Sequence, residues 1–283
     1  MKKIAWIGTG VMGKPMALHL ADAGHSVSVF NRTHSKAQAL EPKATAFDSI
    51  EGCVKDADIV FTIVGYPKDV EMVYDEIFKH AKKDALLIDM TTSSPSLAKS
   101  IYDKGQTLGF EVLDAPVTGG DLGAINATLS IMVGGNEASF NDVKDILALM
   151  GKTINYMGAS GNGQHAKLAN QTAIAGAIAG CAEALTYAQS KNIDMTTMLN
   201  VITGGSASSW QGANNGPKMI SKDFAPGFYV KHFLKDLKLV IEEKDDLYLP
   251  IVEGVTTIYE TLSNAGYDDN GTQAIIDFYL KKL

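Results

Sequence analysis

Short apolar runs rich in β-branched residues recur through the first half of the chain, and helical patterns separate most of them. KIAWIG (3–8), SVSVF (26–30), DIVFTIV (58–64), ALLIDM (85–90), FEVLDAP (110–116), LSIMVGG (129–135) and TINYMG (153–158) read as strands, mostly buried on both faces. Segments 11–23, 67–80, 95–106 and 136–150 carry helical spacing. Strands alternating with helices require crossover connections, which pair the strands in parallel and cover both faces of the sheet. The expected class is therefore α/β with a doubly wound sheet. After about residue 160 the strand patterns cease, and helical periods occupy 162–191, 194–203, 231–246, 250–265 and 271–282. The expectation is two domains, 1–161 and an all-α 162–283, the second opening with a long helix between them. That helix is rich in Ala and Gly, which suits close helix packing across a subunit interface.

With 283 residues, 46 % of them hydrophobic, the chain has enough apolar material for a sizeable core. A net charge of −7 argues against nucleic acid or an anionic membrane as a partner, because both require a basic surface. Small molecules are the expected partners. The apolar run in MKKIAWIGTG is too short for a signal-peptide core and meets glycines rather than a cleavage site. The charge-free run QTAIAGAIAGCA (171–182) is well short of a membrane span. Cys53 and Cys181 have no metal-type or redox-type spacing, so no disulfide framework is expected. These features read as a cytoplasmic protein.

Residues 8–13, GTGVMG, follow a strand and open a helix. In such a G-x-G-x-x-G turn Gly8 permits the tight bend, Gly10 lets the backbone approach a pyrophosphate, and Gly13 allows close helix–strand packing. The free N–H groups of the helix start, around Val11 and Met12, face the phosphates. The alternative is a tight turn with nothing bound. The end of the second strand discriminates between dinucleotides: an NAD site usually places Asp or Glu there, whereas this chain has Asn31, Arg32 and Thr33. No carboxylate repels a 2′-phosphate, and the Arg32 guanidinium can pair with one, assisted by the hydroxyls of Thr33 and Ser35. NADP is favoured over NAD. The competing reading of Arg32 is a solvated loop charge, and His34 reads as a surface loop residue.

GASGNGQHAKLANQ (158–171) places a lysine on the first turns of the most apolar helix. Lys167 and Asn170 are three apart and Gln171 is four from Lys167, so they share one helical face. Glycines at 158, 161 and 163 leave room beside it. A lysine withdrawn from water has a lowered pKa and serves as acid or base nearer neutrality; the bland alternative is a lysine snorkelling into solvent. DAPVTGG (114–120) lies at the carboxyl end of a strand, where open parallel sheets bind ligands. Its Thr118 hydroxyl and the Gly119–Gly120 backbone suit a carboxylate, or form only a strand-end turn. Lys231, Lys235 and Lys238 lie at roughly helical spacing, which also describes a solvated face, with Glu242 a natural partner for Lys238. His165 and His232 lack metal-type spacing, and no metal is expected.

Together these motifs resemble the β-hydroxyacid dehydrogenase family, which includes 3-hydroxyisobutyrate dehydrogenase, tartronate semialdehyde reductase and the glyoxylate and succinic semialdehyde reductases. The resemblance covers nearly the whole chain: GTGVMGKPMALHL at 8–20, DMTTSSP at 89–95, DAPVTGG at 114–120, GASGNGQHAKLAN at 158–170 and KDLKL at 235–239 occur in order. It implies an N-terminal Rossmann-type domain, an all-helical substrate and oligomerisation domain, and a cleft between them. It makes Lys167 the catalytic acid/base and gives Thr118, Gly119, Gly120 and Asn170 the substrate carboxylate and hydroxyl. Thr92 and the Val64–Gly65 turn would contact the cofactor, and Lys235 would approach it from the helical domain. The family is metal-independent, and NRT at 31–33 resembles its NADPH-using reductases. Departures are Thr118 where Ser is common, Ala127 where many have Gly, Thr9 at a usually aliphatic position and Gly65 where Pro is common.

The expected activity is interconversion of a short carboxylated semialdehyde and its hydroxy acid with NADPH, in a homodimer or homotetramer. An imine reductase of the same architecture usually lacks the lysine, and a catalytically silent NADP-binding module would be expected to lose Lys167 or DAPVTGG. A decarboxylating sugar-acid dehydrogenase would need a larger helical half with more basic groups.

Overall fold

Side chains alternate across a strand, so Lys3–Ile7 (β1) sends Ile4 and Trp6 into one layer and Ala5 and Ile7 into the other. In the computed structural model, which describes residues 1–281, the same split repeats in the other inner strands. Phe61, Ile88 and Leu113 join Ile4 and Trp6 against Met16 and Leu20 of the Gly13–Asp22 helix. Val60, Leu87 and Val112 join Ala5 and Ile7 against Val70, Tyr74 and Ile77 of the Pro67–His80 helix. Both faces are buried, as parallel strands require, and the fold is a Rossmann-type sheet followed by an all-helical part.

The remaining strands are Ser26–Phe30 (β2), Thr45–Phe47 (β3), Ile59–Thr62 (β4), Leu86–Asp89 (β5), Glu111–Asp114 (β6), Val117–Thr118 (β7), Leu129–Gly134 (β8) and Gly151–Gly158 (β9). Their order is β3-β2-β1-β4-β5-β6-β8-β7, with β9 also on β8. Pairing is parallel from β3 to β6 and between β8 and β9, but antiparallel where β6 and β7 meet β8. This departs from the all-parallel expectation. Residues 119–128 hold only the short Gly120–Ile125 helix, too little chain for a crossover, so β8 returns beside its predecessor. Asp114 pairs with Gly134, Val117 with Ile131 and Thr118 with Ser130, one continuous register. Pro116 interrupts it by lacking an N–H, while its carbonyl still accepts from the Met132 amide at 3.0 Å. In the turn before β8, Ala127 sits at φ +53°, a left-handed conformation that glycine adopts without strain.

By its contacts the chain divides into two compact units, Met1–Lys167 and the chain from Leu168 onward. The helix start at Asn162 is therefore not the packing boundary: the first turn of the Asn162–Ser190 helix belongs with the sheet. The second unit adds helices Met195–Gly204, Trp210–Ser221, Val230–Glu243, Pro250–Asn264 and Ile275–Lys281. Its core gathers Ile178, Leu185, Leu237 and Leu262 around Phe233 and Tyr259, whose rings meet edge to face at 5.0 Å. The expected helix 271–282 is a 3₁₀ turn, Thr272–Ala274, running into Ile275–Lys281, and residue 282 lies outside the described residues. No helix among the described residues is long and apolar enough to cross a membrane.

The strain at Ala127 is removable. Ala127→Gly is expected to stabilise the protein by about 1 kcal/mol, a rise of roughly 2–4 °C in Tm. A Tm unchanged or lowered by calorimetry would show that the left-handed turn is not strained.

Candidate active site

Strand order reverses between β1 and β4, and ligands of doubly wound sheets bind outside the carboxyl ends of strands at that point. Ile7 of β1 lies beside Thr62 of β4, so the turns that follow them, 8–13 and 63–66, emerge together. Gly8 has φ +100°, and a Cβ there would collide with the Ile63 carbonyl oxygen. A Cβ on Gly13 would strike the Gly8 carbonyl oxygen, which also accepts from the Trp6 indole at 2.9 Å. Gly10 is different: a Cβ there would meet nothing within 4 Å, so no protein neighbour requires glycine at that exposed position. Open space at Gly10, followed by a helix whose N-cap Met12 offers no side-chain cap and whose first turn holds no acid, leaves room and N–H groups that suit a diphosphate. Val11 is exposed beside it and Met12 half-buried. Thr9 is buried and its hydroxyl has no partner among the described residues, an unfavourable place for a polar group.

Asn31 ties the 8–13 turn to the segment that follows β2. Its Oδ1 accepts from the Thr9 amide at 3.1 Å and its Nδ2 donates to the Thr33 carbonyl at 3.0 Å, so both ends of the side chain hold backbone. Arg32 beside it extends into solvent with its side chain 90 % exposed, 3.5 Å from Asp69. Asp69 is fixed at the start of the Pro67–His80 helix, where its other oxygen accepts from the Tyr66 amide. Thr33 is exposed. The Val64–Gly65 turn hangs from Thr91, whose hydroxyl accepts from the Val64 amide at 2.9 Å. Thr91 is in turn held by buried Asp89, which accepts from the Thr91 amide at 3.1 Å and the Thr62 hydroxyl at 2.8 Å. Thr92 follows, half-buried.

At the end of β6 the chain places Asp114, 3 % exposed. Its Oδ1 accepts from the Gly161 amide at 2.8 Å and its Oδ2 from the Gln164 amide at 2.9 Å, so it caps the Asn162–Ser190 helix from a distant strand. Burial pushes the Asp114 carboxyl up to about 6, against the pull of those two amides and with buried Asp89 adding to the rise. Gln164 fastens the same turn to the β5 tail: its Nε2 donates to the Thr91 carbonyl at 2.7 Å and its Oε1 accepts from the Ser93 amide at 2.9 Å. Lys167 follows three residues later, only 6 % exposed. Thr118 and Gly120 are half-buried and Gly119 exposed, the glycines at φ +134° and +66°. Asp114 and Gln164 lie inside motifs read from the sequence, but nothing in their spacing links residue 114 to the start of a helix at 162.

In the second unit, half-buried Asn170 donates to Gln171 at 3.1 Å. Buried Gln171 donates to Asp236 Oδ2 at 2.7 Å, and Lys235 Nζ pairs with Asp236 Oδ1 at 3.1 Å. The Lys235 side chain is 13 % exposed, so it is not part of a solvated face. Lys231 and Lys238 are paired with Asp269 at 2.6 Å and Glu260 at 3.0 Å. Glu260, on the next helix, replaces the expected Glu242, since packing of the two helices brings it within reach. Burial first, then Lys235 and Lys231, lower the pKa of His232. Both thiols are buried, and burial pushes Cys53 up to about 12.

Residues 3–158 match the family model described as the NAD binding domain of 6-phosphogluconate dehydrogenase. Residues 161–279 match the one described as the NAD-binding of NADP-dependent 3-hydroxyisobutyrate dehydrogenase. An uncharacterised oxidoreductase of Bacillus subtilis is 44 % identical, with 99 % of each chain covered. The 2-hydroxy-3-oxopropionate reductase of Escherichia coli is 35 % identical over 96 % of this chain and 93 % of its own. Among solved structures, 3-hydroxyisobutyrate dehydrogenase of Mycobacterium tuberculosis with L-serine superposes with a TM-score of 0.90 at 31 % identity, 98 % of each chain covered.

The glycines separate packing from binding. Gly13→Ala is expected to cost about 2–3 kcal/mol in urea unfolding, because its collision is with backbone. Gly10→Ala should leave unfolding unchanged and weaken binding of the reduced nicotinamide dinucleotide, NADH or NADPH, about tenfold or more, read by fluorescence titration; unimpaired binding would remove the diphosphate from this turn. Asp114 gives a pH dependence of definite sign. Its carboxyl is raised from 3.8 to about 6 on folding, so between those values the folded state holds the proton and the unfolded state does not. Its contribution to stability therefore falls as pH rises through that window, by about 3 kcal/mol. Unfolding of the parent and of Asp114→Asn from pH 4 to 7 should show the parent losing ground by that order; a constant difference would contradict the raised pKa.

Proposed function

We propose that this chain, which belongs to the β-hydroxyacid dehydrogenase family, reduces a short carboxylated aldehyde to its hydroxy acid with NADPH and runs the oxidation back along the same path. At the coarser level it is an NAD(P)-dependent oxidoreductase of the hydroxyacid dehydrogenase kind. The observation that carries the finer reading is a lysine, Lys167, withdrawn from solvent one turn beyond a helix start that buried groups hold on the sheet. Relatives named for a hydroxyisobutyrate and for 2-hydroxy-3-oxopropionate support a small substrate with a carboxylate.

When bound, the dinucleotide supplies the hydride and its electron pair; the chain supplies binding, orientation and the proton. Gly8, Gly10, Val11, Met12 and Gly13 hold the diphosphate, with Asn31 fixing that turn. Arg32 and Thr33 take the 2′-phosphate, and Val64, Gly65, Thr92 and Lys235 complete the cofactor contacts. The NADP preference is supported by an extended guanidinium at the end of β2 and by the lack of a carboxylate at 31–33. Thr118, Gly119 and Gly120 hold the substrate carboxylate, and Asn170 its oxygen. As hydride reaches the carbonyl carbon, Lys167 as an ammonium gives its proton to the carbonyl oxygen. In oxidation neutral Lys167 takes that proton back from the hydroxyl. Its burial keeps water from competing for the proton. A homo-oligomer is part of the proposal, supported by exposed Tyr187, Leu247, Tyr248 and Ile251 in the helical unit.

The test is initial-rate oxidation of NADPH and NADH with glyoxylate, succinic semialdehyde, methylmalonate semialdehyde, tartronate semialdehyde and a cyclic imine. Turnover of a carboxylated aldehyde with NADPH preferred is expected. Lys167→Ala should then lower kcat by about a hundredfold or more with NADPH affinity within about twofold, and Arg32→Ala should lower the NADPH preference about tenfold or more. Turnover of the imine alone, or near-parental kcat in Lys167→Ala, would overturn the assignment.

A further inference from the structure

We infer that Asp114 is a positioning residue for Lys167, acting through the first turn of the Asn162–Ser190 helix; the inference rests on the role proposed above for Lys167. The carboxylate spans the turn, receiving one amide from Gly161 on Oδ1 and another from Gln164 on Oδ2. Only a carboxylate accepts on both oxygens. An asparagine of the same size would set its NH₂ against one of the two N–H groups, and a serine or threonine would reach one of them.

The turn has almost no freedom to shift. A Cβ on Gly163 would lie 2.5 Å from the Asp114 carbonyl oxygen and 2.6 Å from that of Met132. A Cβ on Gly134 would lie 2.6 Å from Asp114 Oδ1 and 2.7 Å from the Gly163 amide. The tails of β5 and β6 and the β8 strand thus converge on residues 161–164: Thr91 and Ser93 through the Gln164 side chain, Asp114 through backbone amides, Met132 and Gly134 by contact. Helical hydrogen bonds carry any displacement of residues 161–164 directly to residue 167. Proton transfer is sensitive to such displacement, since a misplacement of about 1 Å can cost about a hundredfold in rate.

The choice of an acid here is unfavourable for stability, because the group is buried and faces a second buried carboxyl, Asp89, with the buried Tyr74 phenol also close enough to feel its charge. A cap serving stability alone would avoid that charge. The arrangement gives up stability for geometry.

The experiment compares parent, Asp114→Asn, Lys167→Ala and the double variant, with the aldehyde of the panel that the parent turns over best. Asp114→Asn should lower kcat about tenfold or more while NADPH affinity stays within about twofold. On the Lys167→Ala background the same substitution should change the residual rate by less than about twofold, because a residue acting through Lys167 has nothing left to position. In the apo protein, amide hydrogen exchange across 161–167 should quicken about fivefold or more. Parental kcat, equal losses on both backgrounds, or unchanged exchange would each overturn the inference while leaving the proposed function standing. A parent that turns over no aldehyde overturns the proposed function, and this inference with it. If Asp114→Asn does not fold, Gln164→Met, which keeps both amide contacts of Asp114 and cuts the bonds to Thr91 and Ser93, should lower kcat severalfold with the same non-additivity; parental kcat there would also overturn the inference.

Discussion

The interaction on which the candidate site depends is a pair of hydrogen bonds, 2.8 and 2.9 Å long, from two amides of a helix start to one buried carboxylate. A 29-residue helix has unpaired N–H groups at its start wherever it begins. Here the Gln164 amide, together with the Gly161 amide just before the helix, is satisfied by a side chain from β6, some fifty residues earlier in the chain. That choice makes the beginning of the helix part of the sheet, and it is why contacts divide the chain after Lys167 rather than at the first helical residue. Gln164 adds a second, neutral tie, from the first turn of the helix to the backbone of residues 91 and 93 after β5. Lys167, the proposed proton donor, therefore follows a helix turn that the ends of strands hold through Asp114, Thr91 and Ser93.

The cofactor side obeys the same economy of backbone. Gly8 and Gly13 are glycines because other backbone atoms occupy the space of a Cβ, whereas Gly10 has open space instead. Asn31 spends its amide on two turns, leaving Arg32 as the extended cation at the end of β2. Asp69, 3.5 Å from that cation, partly offsets its charge, though an exposed pair at such separation is worth little in water. Thr91 and Asp89 show that DMTTSSP is first a brace for the Val64–Gly65 turn.

Much of this was legible in the sequence because the signals were local. Buried strands of four or five residues stand out by composition, and a glycine triplet between strand and helix declares its turn. The Thr45–Phe47 strand and the Ile50–Val54 helix are too short to carry a period, and Trp210–Ser221 hides its helix behind two glycines, two asparagines and Pro217. What makes it a helix is tertiary: Ser209 caps it, and Gly216 lets it close on Leu199. The antiparallel return of β8 follows from the shortness of the connection over 119–128, which the apolar and helical patterns do not express. Asp114 and Gln164 were invisible as anchors because their partners are distant in sequence. Ala127 and Thr9, noted as departures, acquire physical content as a left-handed alanine and an unpartnered hydroxyl.

The two thiols have a practical consequence. Cys53 and Cys181 are buried, and burial raises the pKa of each, so little thiolate exists near neutrality and what exists is shielded. A maleimide or spin label added to the native protein finds no ready target. A single cysteine introduced at an exposed position such as Asn162 becomes the readily modified thiol of the molecule with both native cysteines left in place. Spectroscopic distances can then be measured from the helix start without re-engineering either core.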